Sequence, residues 1–535
     1  MITTLGVAAF ILIYWLARCL QTNKQLPPGP KGLPILGNVL QLASTPQLWL
    51  LFDKMKTQYG PIMSLSLAGQ NIVVLNTKAA ALELMGRRSA TYSDRPASIV
   101  ADILGRATCL PFMKYGKQWQ RMRRAGHAVL NARASVQYLP IQVDEAITVT
   151  RSLLTDQSSP LSEKIHRSAS SMISVIYGKQ LLQQAALAKE STQQVETHCP
   201  VSVTDPLQTL IDIVHPFTIA MCPGAHLVEF FPFLNYFPAA ICQWKQKAIT
   251  DFEHASEVFT NYYTATVGAN QMQPNLCASL AENKMTSDFT EFEKAWVTGT
   301  ISAASLETTS TTMSFFLYAM SLYPDVQRRA QDELDRVVGK SRNPNFNDME
   351  HLPYLRALVK ELLRWQPVTP LAIPHATLED DWYEGYLIPK GTTILANVWS
   401  MNHDEDVYGP DVDQFKPERY LEQSKDGTGY ALRPQYENDD GHSSYGFGRR
   451  QAVFEGNTQE CVGRHVANHG LFINIATILW ALSIEAQEDA AAAVKKKSHR
   501  NNQDILNPVP HYDCRFTPRF PEVEGILQHY EDNKV

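Results

Sequence analysis

The stretch from Thr298 to Thr312 concentrates side chains that can hold and transfer protons. It carries nine serine and threonine residues together with one acid, Glu307, and two alanines stand shortly before that acid. Hydroxyl and β-branched residues lower helix propensity, and a carboxylate among apolar residues is costly unless something uses it. The stretch is therefore either a polar helix face or the place where an acid and a hydroxyl handle protons.

Charged residues further along the chain are spaced so that they could form ion pairs. Glu361 and Arg364 lie three residues apart among apolar residues at helical spacing, so a helix would place both charges on one face. Arg419 offers a second arginine for Glu361, and Tyr445–Arg450 alternates glycine with aromatic and arginine residues. That alternation indicates a tight backbone close to a flat anionic ligand. Alone, Glu361 and Arg364 would be an ordinary surface ion pair, so the interpretation depends on the combination.

The eight cysteines stand far apart, at positions 19, 109, 199, 222, 242, 277, 461 and 514. No two of them have the CxxC spacing of a zinc or redox site, and they are too sparse for a disulfide framework. We expect most of them to be buried small apolar side chains. The folded part then faces a reducing compartment, where a lone thiolate could function.

Composition excludes several classes of protein. The chain has 535 residues, of which 44% are hydrophobic, so it is neither disordered nor a disulfide-rich mini-protein. Its formal net charge of −6 argues against a nucleic-acid partner, because such proteins need a basic face. The length alone suggests several domains, and small or apolar molecules are the expected ligands.

The N-terminus predicts a retained membrane anchor over residues 1–20. Leu5–Leu16 is an unbroken apolar run, and the positive charges follow it, which favours a cytoplasmic body over a cleaved signal peptide. Residues 21–34 form a connector, because four prolines in Pro27–Pro34 remove amide donors and fix φ. The globular domain then covers residues 35–535.

No internal repeat or long linker divides that body, which predicts one large, mainly α unit with small β-sheets. Thr286–Tyr323 contains no proline and predicts a helix of about 38 residues that stops at Pro324. Alternating runs at 62–67 and 71–75 predict a hairpin, and Thr393–Ala396 predicts a further strand. The charged run within Ala486–Arg500 is typical of a solvated surface loop or helix end.

Taken together, these residues resemble the cytochrome P450 family of haem-thiolate monooxygenases, in its membrane-anchored fungal form. The resemblance covers the chain from anchor to C-terminus. Its six motifs occur in the family order: Pro27–Pro30 for the hinge, Trp119–Arg123 for WxxxR, Ala304–Thr309 for AGx(D/E)TT, Glu361–Arg364 for ExxR, Pro417–Arg419 for PER, and Tyr445–Arg450 with Cys461–Arg464 for the cysteine signature.

The resemblance implies a binding site for haem b. Cys461 would be the axial thiolate ligand of the iron, pushing electron density toward cleavage of the O–O bond. Four further side chains would bond the haem propionates: Trp119, Arg123, His375 and Arg450. Arginine suits this role because its planar guanidinium matches a carboxylate.

It also implies two roles away from the propionates. Glu307 and Thr308 would relay protons to bound dioxygen, which accounts for an acid and a hydroxyl in the middle of a long helix. Glu361, Arg364 and Arg419 would form a buried ion network that fixes the fold behind the haem.

The cysteine signature is interrupted. In the FxxGxRxC pattern the cysteine stands two residues after Arg450, but that position is Ala452, and nine residues, Ala452–Glu460, precede Cys461. The insert is either a gene-model or splicing artefact or a genuine loop that still lets Cys461 reach the iron. We favour the artefact, because a turn that fixes a sulfur atom tolerates little slack. Sequencing of the mature transcript decides between the two.

Two single residues also depart from the family pattern. Ser305 replaces the glycine that lets oxygen lie against the long helix, so a β-carbon and a hydroxyl are added there. Tyr445 replaces the usual phenylalanine at the start of the cysteine signature. Both changes are tolerable in principle, and oxygen access or water organisation could differ.

The function implied is insertion of one atom of O2 into an apolar small molecule, with NADPH electrons supplied by cytochrome P450 reductase. We expect a single-pass protein of the endoplasmic reticulum membrane, in contact with lipid, that acts in fungal secondary metabolism. Lys117, Arg121 and Arg124 could help to dock the reductase. The expected substrate walls are 99–112, 223–238, 300–304 and 368–373. The alternative is a haem-poor, catalytically impaired pseudoenzyme, because of the insert at 452–460.

Overall fold

The architecture was taken from a computed structural model of the chain. The structure describes residues 26–156, 159–168, 170–179, 181, 205–220, 222, 225–269, 274–424, 427, 429–437, 439–447, 461–487, 506–510 and 512–532. The proposed anchor, Arg450 and the insert 452–460 therefore lie outside the described residues, as does most of Ala486–Arg500, whose first residue ends a strand.

Helices make up most of the described chain, so the prediction of a mainly α fold with small sheets is confirmed. In chain order they are α1 (Val39–Ala43), α2 (Leu48–Tyr59), α3 (Lys78–Ala81), α4 (Ile99–Gly105), α5 (Lys117–Leu130), α6 (Ala132–Ser135), α7 (Leu139–Thr155), α8 (Leu161–Ser168), α9 (Ser170–Tyr177), α10 (Pro206–Ala220), α11 (Leu227–Phe230), α12 (Gln243–Gly268), α13 (Leu276–Glu282), α14 (Glu291–Leu322), α15 (Pro324–Val337), α16 (Pro353–Trp365), α17 (Val398–Asn402), α18 (Glu405–Tyr408), α19 (Arg464–Ala481) and α20 (Val523–Asp532).

The long helix α14 begins later than the sequence predicts. Thr290 caps it: the Thr290 hydroxyl accepts from the Glu293 amide, and the Glu293 carboxylate accepts from the Thr290 amide. This capping box satisfies amides that have no partner within the helix, so the helix starts at Glu291 and not at Thr286. Its end at Leu322 agrees with the prediction, and Pro324 opens α15, a first-turn position that proline favours.

The strands form one sheet of four and three pairs. Their bounds are β1 (Ile62–Leu67), β2 (Gln70–Leu75), β3 (His375–Ala376), β4 (Asp381–Tyr383), β5 (Tyr386–Ile388), β6 (Thr393–Ala396), β7 (Leu421–Gln423), β8 (Tyr430–Leu432), β9 (Leu482–Ala486) and β10 (Cys514–Pro518). The predicted hairpin is the antiparallel pair β1–β2, and the predicted strand β6 lies parallel to β2 with β3 on its other side.

The proline-rich connector is bonded to the sheet from Pro27 onward. The Ser64 amide donates to the Pro28 carbonyl at 2.9 Å, and the Ser64 hydroxyl donates to the Pro27 carbonyl at 2.6 Å. A side chain at Gly29 would place its Cβ only 1.8 Å from the Ser64 carbonyl oxygen, so only glycine fits there. The segment thus runs against β1 and does not stand clear of the domain.

The core lies along both halves of α14. Its first half, including Trp296, packs with residues of α5, α9, α10 and α12, whereas its second half, including Phe316, packs with α7, α16 and α19. Burying each such large apolar side chain contributes about 2 kcal/mol. At Gly299 an added Cβ would lie 2.2 Å from the Phe259 ring, so α12 crosses α14 closely at that point.

Within the described residues, no helix has the combined length and apolar character needed to cross a membrane.

Candidate functional site

A buried carboxylate joins α16 to the segment that follows α18. The Arg364 guanidinium donates to both oxygens of Glu361, at 2.7 and 2.9 Å, and both side chains are fully buried. Arg419 donates to the same carboxylate at 3.3 Å, and the Lys416 amide does so at 2.8 Å. Burial raises the pKa of Glu361, and the bonds from Arg364 oppose that rise. The structure therefore brings Glu361, Arg364 and Arg419 together.

This ion network continues toward the cysteine through Asn402 at the end of α17. Arg364 donates to the Asn402 carbonyl at 2.9 Å, and the Asn402 side chain accepts from the Ser443 amide at 2.8 Å. It also donates to the Ser444 hydroxyl, which in turn donates to the Leu363 carbonyl at 2.6 Å. The backbone leading into the cysteine signature is thus fixed to α16. Sequence reasoning missed Asn402 and Ser444, whose residue types are common in any loop.

Cys461 lies just before the first turn of α19. Its amide donates to the Tyr445 carbonyl at 3.2 Å, and its carbonyl accepts from the Arg464 amide at 3.1 Å. The two ends of the interrupted signature therefore meet. The side chain is exposed, and Val462 packs against the apolar cluster that holds Trp119.

Trp119 and Arg123 lie one turn apart on α5, and both are buried. Burial lowers the pKa of Arg123 to about 10, and the charge of the nearby Cys461 opposes that shift. A guanidinium held away from water and close to a thiol is suited to an anionic ligand that lies between them. Among the predicted propionate partners, these two and His375 fall within the described chain, whereas Arg450 does not.

His375 opens β3 with its ring buried. Its Nδ1 lies 2.8 Å from the Tyr92 carbonyl, which can only accept, so Nδ1 carries a hydrogen. A bond from Nε2 to a carboxylate would need a hydrogen there as well, and the ring would then be positively charged. The bond to Tyr92 fixes the ring of His375 and leaves Nε2 as the nitrogen that a carboxylate would bind.

Arg95 was missed by the sequence reasoning. It is buried and donates to the carbonyls of Pro111, Ile373 and Pro374 at 2.6, 3.0 and 2.7 Å. It therefore places a buried cation next to His375 and fixes the backbone before it. The only signal in the sequence was an arginine before a proline, which is equally typical of a surface turn.

Glu307 and Thr308 lie near the middle of α14. The Thr308 hydroxyl donates to the Ala304 carbonyl at 2.9 Å, and the Ser305 hydroxyl is turned back in the same way, to Ser302 at 2.8 Å. Ala304 is exposed although it belongs to a helix that is buried before and after it, so this face of α14 borders an open space. Ser305 therefore adds its bulk beside that space without directing its hydroxyl into it.

Glu307 also borders a cavity of about 410 Å³ between α4, α10, α12 and α14. Val100 and Leu104 belong to the predicted substrate wall 99–112, and His226 belongs to 223–238. The sequence reasoning missed the walls that α10 and α12 supply. Their lining residues are Ile211, Asp212, His215, Pro216, Ile219, Trp244, Lys247, Ala248 and Asp251.

The residues present fit a haem. Such a group needs a thiol for its iron, buried cations for its two carboxylates and a helix face that leaves room for a flat ring. Cys461 supplies the first, Arg123, His375 and Arg95 are suited to the second, and the open face at Ala304 is suited to the third. The charge of Cys461 contributes to the pKa of Arg123, so the thiol and this buried guanidinium lie in the same part of the molecule.

Comparison with known proteins supports the same assignment. The family model described as Cytochrome P450 matches residues 27–515. A cytochrome P450 monooxygenase of Armillaria gallica is 39% identical over 530 residues, covering 97% of this chain and 95% of that protein. One from Postia placenta is 38% identical, covering 97% and 93%, and one from Amanita muscaria is 37% identical, covering 97% and 95%.

Proposed function

Because the chain belongs to the cytochrome P450 family, we propose that it oxidises a largely apolar small molecule in fungal secondary metabolism, with Cys461 as its haem ligand. The enzyme is a monooxygenase that incorporates oxygen from O2, and its cofactor is haem held through a cysteine thiolate. The electrons are proposed to come from NADPH through cytochrome P450 reductase. The position of Cys461, whose amide donates to the Tyr445 carbonyl just before α19, is the observation that carries the proposal.

When bound, the haem supplies the activation of dioxygen, and this chain's residues position the group and control protons. The bond from Cys461 to Tyr445 and the start of α19 would hold the sulfur at one place. Trp119, Arg123 and His375 would receive the propionates, and Arg450 is proposed for the same role. Arg95 would support His375 through the Pro374 carbonyl.

Protons are proposed to reach the site along α14. Glu307 borders the 410 Å³ cavity, where Asp212, His215 and Lys247 supply polar groups that can bind water. Thr308 follows Glu307 in the helix and keeps its hydroxyl bonded to Ala304. We therefore expect Glu307 to exchange its proton with water in the cavity. Thr308 is expected to accept a hydrogen bond from the group that carries the proton onward.

A largely apolar substrate is supported by the same cavity. Val100, Leu104, Ile211, Ile219 and Trp244 contribute its hydrocarbon walls. Pockets of this kind bind by apolar contact and use a few polar groups to orient the ligand. The fungal relatives, all described as cytochrome P450 monooxygenases, support the setting in secondary metabolism.

The proposed membrane contact is supported by an exposed apolar surface. Exposed large apolar side chains concentrate in two segments, and Tyr236 and Leu227 are 90% and 71% exposed. The segments adjoin at the β1–β2 turn, where Gln70 donates to the Glu229 carbonyl and the Ala68 amide donates to Leu36. We call this surface the apolar face; it consists of Leu33, Ile35, Leu36, Leu40, Leu227, Phe231, Phe233, Tyr236, Phe237 and Ile241.

An apolar face of this size beside the start of the globular domain suits a lipid surface. It supports the proposed location in the endoplasmic reticulum membrane, together with the apolar run Leu5–Leu16. For the reductase, Lys117 and Arg124 remain exposed on α5, but Arg121 binds Glu293 and Asp288 of the chain itself. Lys117 and Arg124 are therefore the better candidates for docking an acidic partner.

The alternative function is that of a haem-poor, catalytically impaired protein, which the insert before Cys461 favours. The experiment that separates the two is a spectrum of the reduced, CO-bound full-length protein, followed by titration with apolar ligands. We expect the thiolate-type band, which Cys461→Ser abolishes. Purified protein with little haem, or with a band unaffected by Cys461→Ser, would support the alternative. A transcript that always encodes residues 452–460 would rule out the artefact.

A further inference from the structure

Tyr445 stands where the family signature has phenylalanine, and the sequence gives its hydroxyl no role. In the structure the Tyr445 backbone accepts the hydrogen bond of the Cys461 amide, at 3.2 Å. Tyr445 is thus the residue before the interruption to which the backbone of Cys461 is bonded. Whatever fixes Tyr445 also fixes the backbone of Cys461.

The hydroxyl of Tyr445 begins a chain of polar bonds to α19. It donates to the Asn468 side-chain oxygen at 2.5 Å, and the Asn468 amide group donates to Asp440 at 3.2 Å. The other oxygen of Asp440 lies 3.5 Å from the Arg464 guanidinium. Arg464 and Asn468 lie one turn apart at the start of α19, immediately after Cys461. We call Tyr445, Asn468, Asp440 and Arg464 the tyrosine clamp.

The clamp contacts both sides of the interruption. Asp440 and Tyr445 precede it, whereas Arg464 and Asn468 follow Cys461 on one rigid helix. The hydrogen of the Tyr445 phenol is used in the bond to Asn468, so this bond joins the two sides. Phenylalanine in this position would leave the Asn468 oxygen without that donor.

We propose that Tyr445 is a positioning residue for the Cys461 sulfur, acting through the clamp to compensate for the longer chain between the two halves of the signature. This proposal rests on the proposed role of Cys461 as the haem ligand and on the presence of residues 452–460 in the mature protein. A longer connection leaves its ends more conformational freedom, and a ligand must be held closely to keep its metal. The clamp removes that freedom by tying the residue before the insert to the helix after it.

The test compares full-length wild type with Tyr445→Phe, Asn468→Ala and the double variant. The control is Tyr436→Phe, which removes a hydroxyl outside the clamp from a ring that packs on Tyr420. Haem per chain and the thiolate fraction of the reduced CO complex are measured during mild urea treatment. We expect Tyr445→Phe to lose the thiolate form roughly fivefold faster than the control, as the loss of one buried hydrogen bond predicts.

Two further results are required by the proposal. The effects of Tyr445→Phe and Asn468→Ala must be less than additive, because both remove the same bond. In a chain lacking residues 452–460, Tyr445→Phe must have no more effect than the control.

Equal loss rates for Tyr445→Phe and Tyr436→Phe would overturn the proposal, as would fully additive effects in the double variant. If the shortened chain does not fold, the double variant alone decides. A wild-type protein that never shows the thiolate form rejects the proposed function instead. A wild-type thiolate form that Tyr445→Phe leaves unchanged rejects only the clamp.

Discussion

The hydroxyl of Thr308 is directed toward its own helix, where it donates to the Ala304 carbonyl. A hydroxyl whose hydrogen is used in this way presents lone pairs to the open side of the helix. Glu307 is buried, and it borders a cavity lined by other polar groups. The two neighbours therefore suit different tasks: Glu307 can exchange a proton, whereas Thr308 can orient whatever carries one.

Thr308→Ala is expected to separate NADPH consumption from product formation. Without the hydroxyl, the site lacks the lone pairs with which Thr308 would orient a proton carrier, so we expect product per NADPH to fall roughly tenfold. The control is Ser314→Ala, which removes a similar bond to a helix carbonyl two turns away, at Ser310. Coupling is measured as the ratio of product to NADPH consumed. Full coupling in Thr308→Ala would contradict a role in proton relay.

His442 is expected to make the folded state sensitive to acid. Burial lowers its pKa from 6.5 to about 4, and its Nδ1 accepts a bond from the Ser444 amide. Between pH 6.5 and 4 the unfolded chain binds a proton that the folded chain does not, so the free energy of unfolding falls as the pH falls through this window. From pH 7 to pH 5 this one residue should account for a loss of about 2 kcal/mol.

The measurement is urea unfolding at both pH values for wild type, His442→Gln and the exposed control His351→Gln. We expect His442→Gln alone to reduce the difference between the two pH values. A wild-type difference that both variants retain in full would show that His442 is not the responsible group.

At the scale of elements, α16 acts as a support for two other segments. Glu361 and Arg364 on this helix bind backbone groups of residues 402, 414 and 416, and Arg419 binds Glu361 from the segment beyond. The helix thereby fixes α17 and the chain that leads to the cysteine. An ion pair within α16 therefore connects this helix to α17 and to the segment of residues 414–419.

Glu361→Gln is expected to lower the free energy of unfolding by about 3 kcal/mol, because it leaves the fully buried Arg364 without its anion. Haem content should fall with it, since the backbone before Cys461 is held through the same network. Glu291→Gln, which changes an exposed carboxylate at the start of α14, is the control. Urea unfolding of both variants provides the measurement. A loss below about 1 kcal/mol would indicate a surface-like ion pair.

The sequence was a good guide to elements and to partners close along the chain. The apolar alternation of β1 and β2, and the spacing of Glu361 and Arg364, follow from strand and helix periods and were predicted correctly as local structure. The start of α14 was wrong because the capping box at Thr290 was not recognised. Asn402, Arg95 and Asn468 were missed because their bonds join residues far apart in sequence, which no local pattern reports.

At the scale of the whole molecule, the apolar face gathers ten of the large apolar side chains that the described domain exposes. The apolar face includes residues on both sides of Glu229, whose carboxylate accepts bonds from Ser98 and from the amides of Ile99 and Val100 at the start of α4. Because α4 also lines the cavity beside Glu307, Glu229 and α4 connect the apolar face to that cavity.

Replacing Phe231, Phe233 and Tyr236 by serine should weaken lipid binding at least tenfold in a chain that lacks residues 1–25, because these side chains would enter the interface. Binding to vesicles of endoplasmic reticulum lipid composition provides the measurement. The control replaces Tyr430, Trp382 and Val407, which are exposed outside the apolar face. Equal binding by the two triple variants would contradict the proposed contact.

The hydrogen bonds between Ser64 and the prolines also limit the distance between the proposed anchor and the globular domain. The sheet holds the chain from Pro27 onward, and Leu26 stands only ten positions after Leu16. Fully extended, ten residues span about 35 Å. Given the proposed anchor, the short tether keeps the domain close to the membrane, where it would diffuse in two dimensions. A partner in the same membrane would then be present at a high effective concentration.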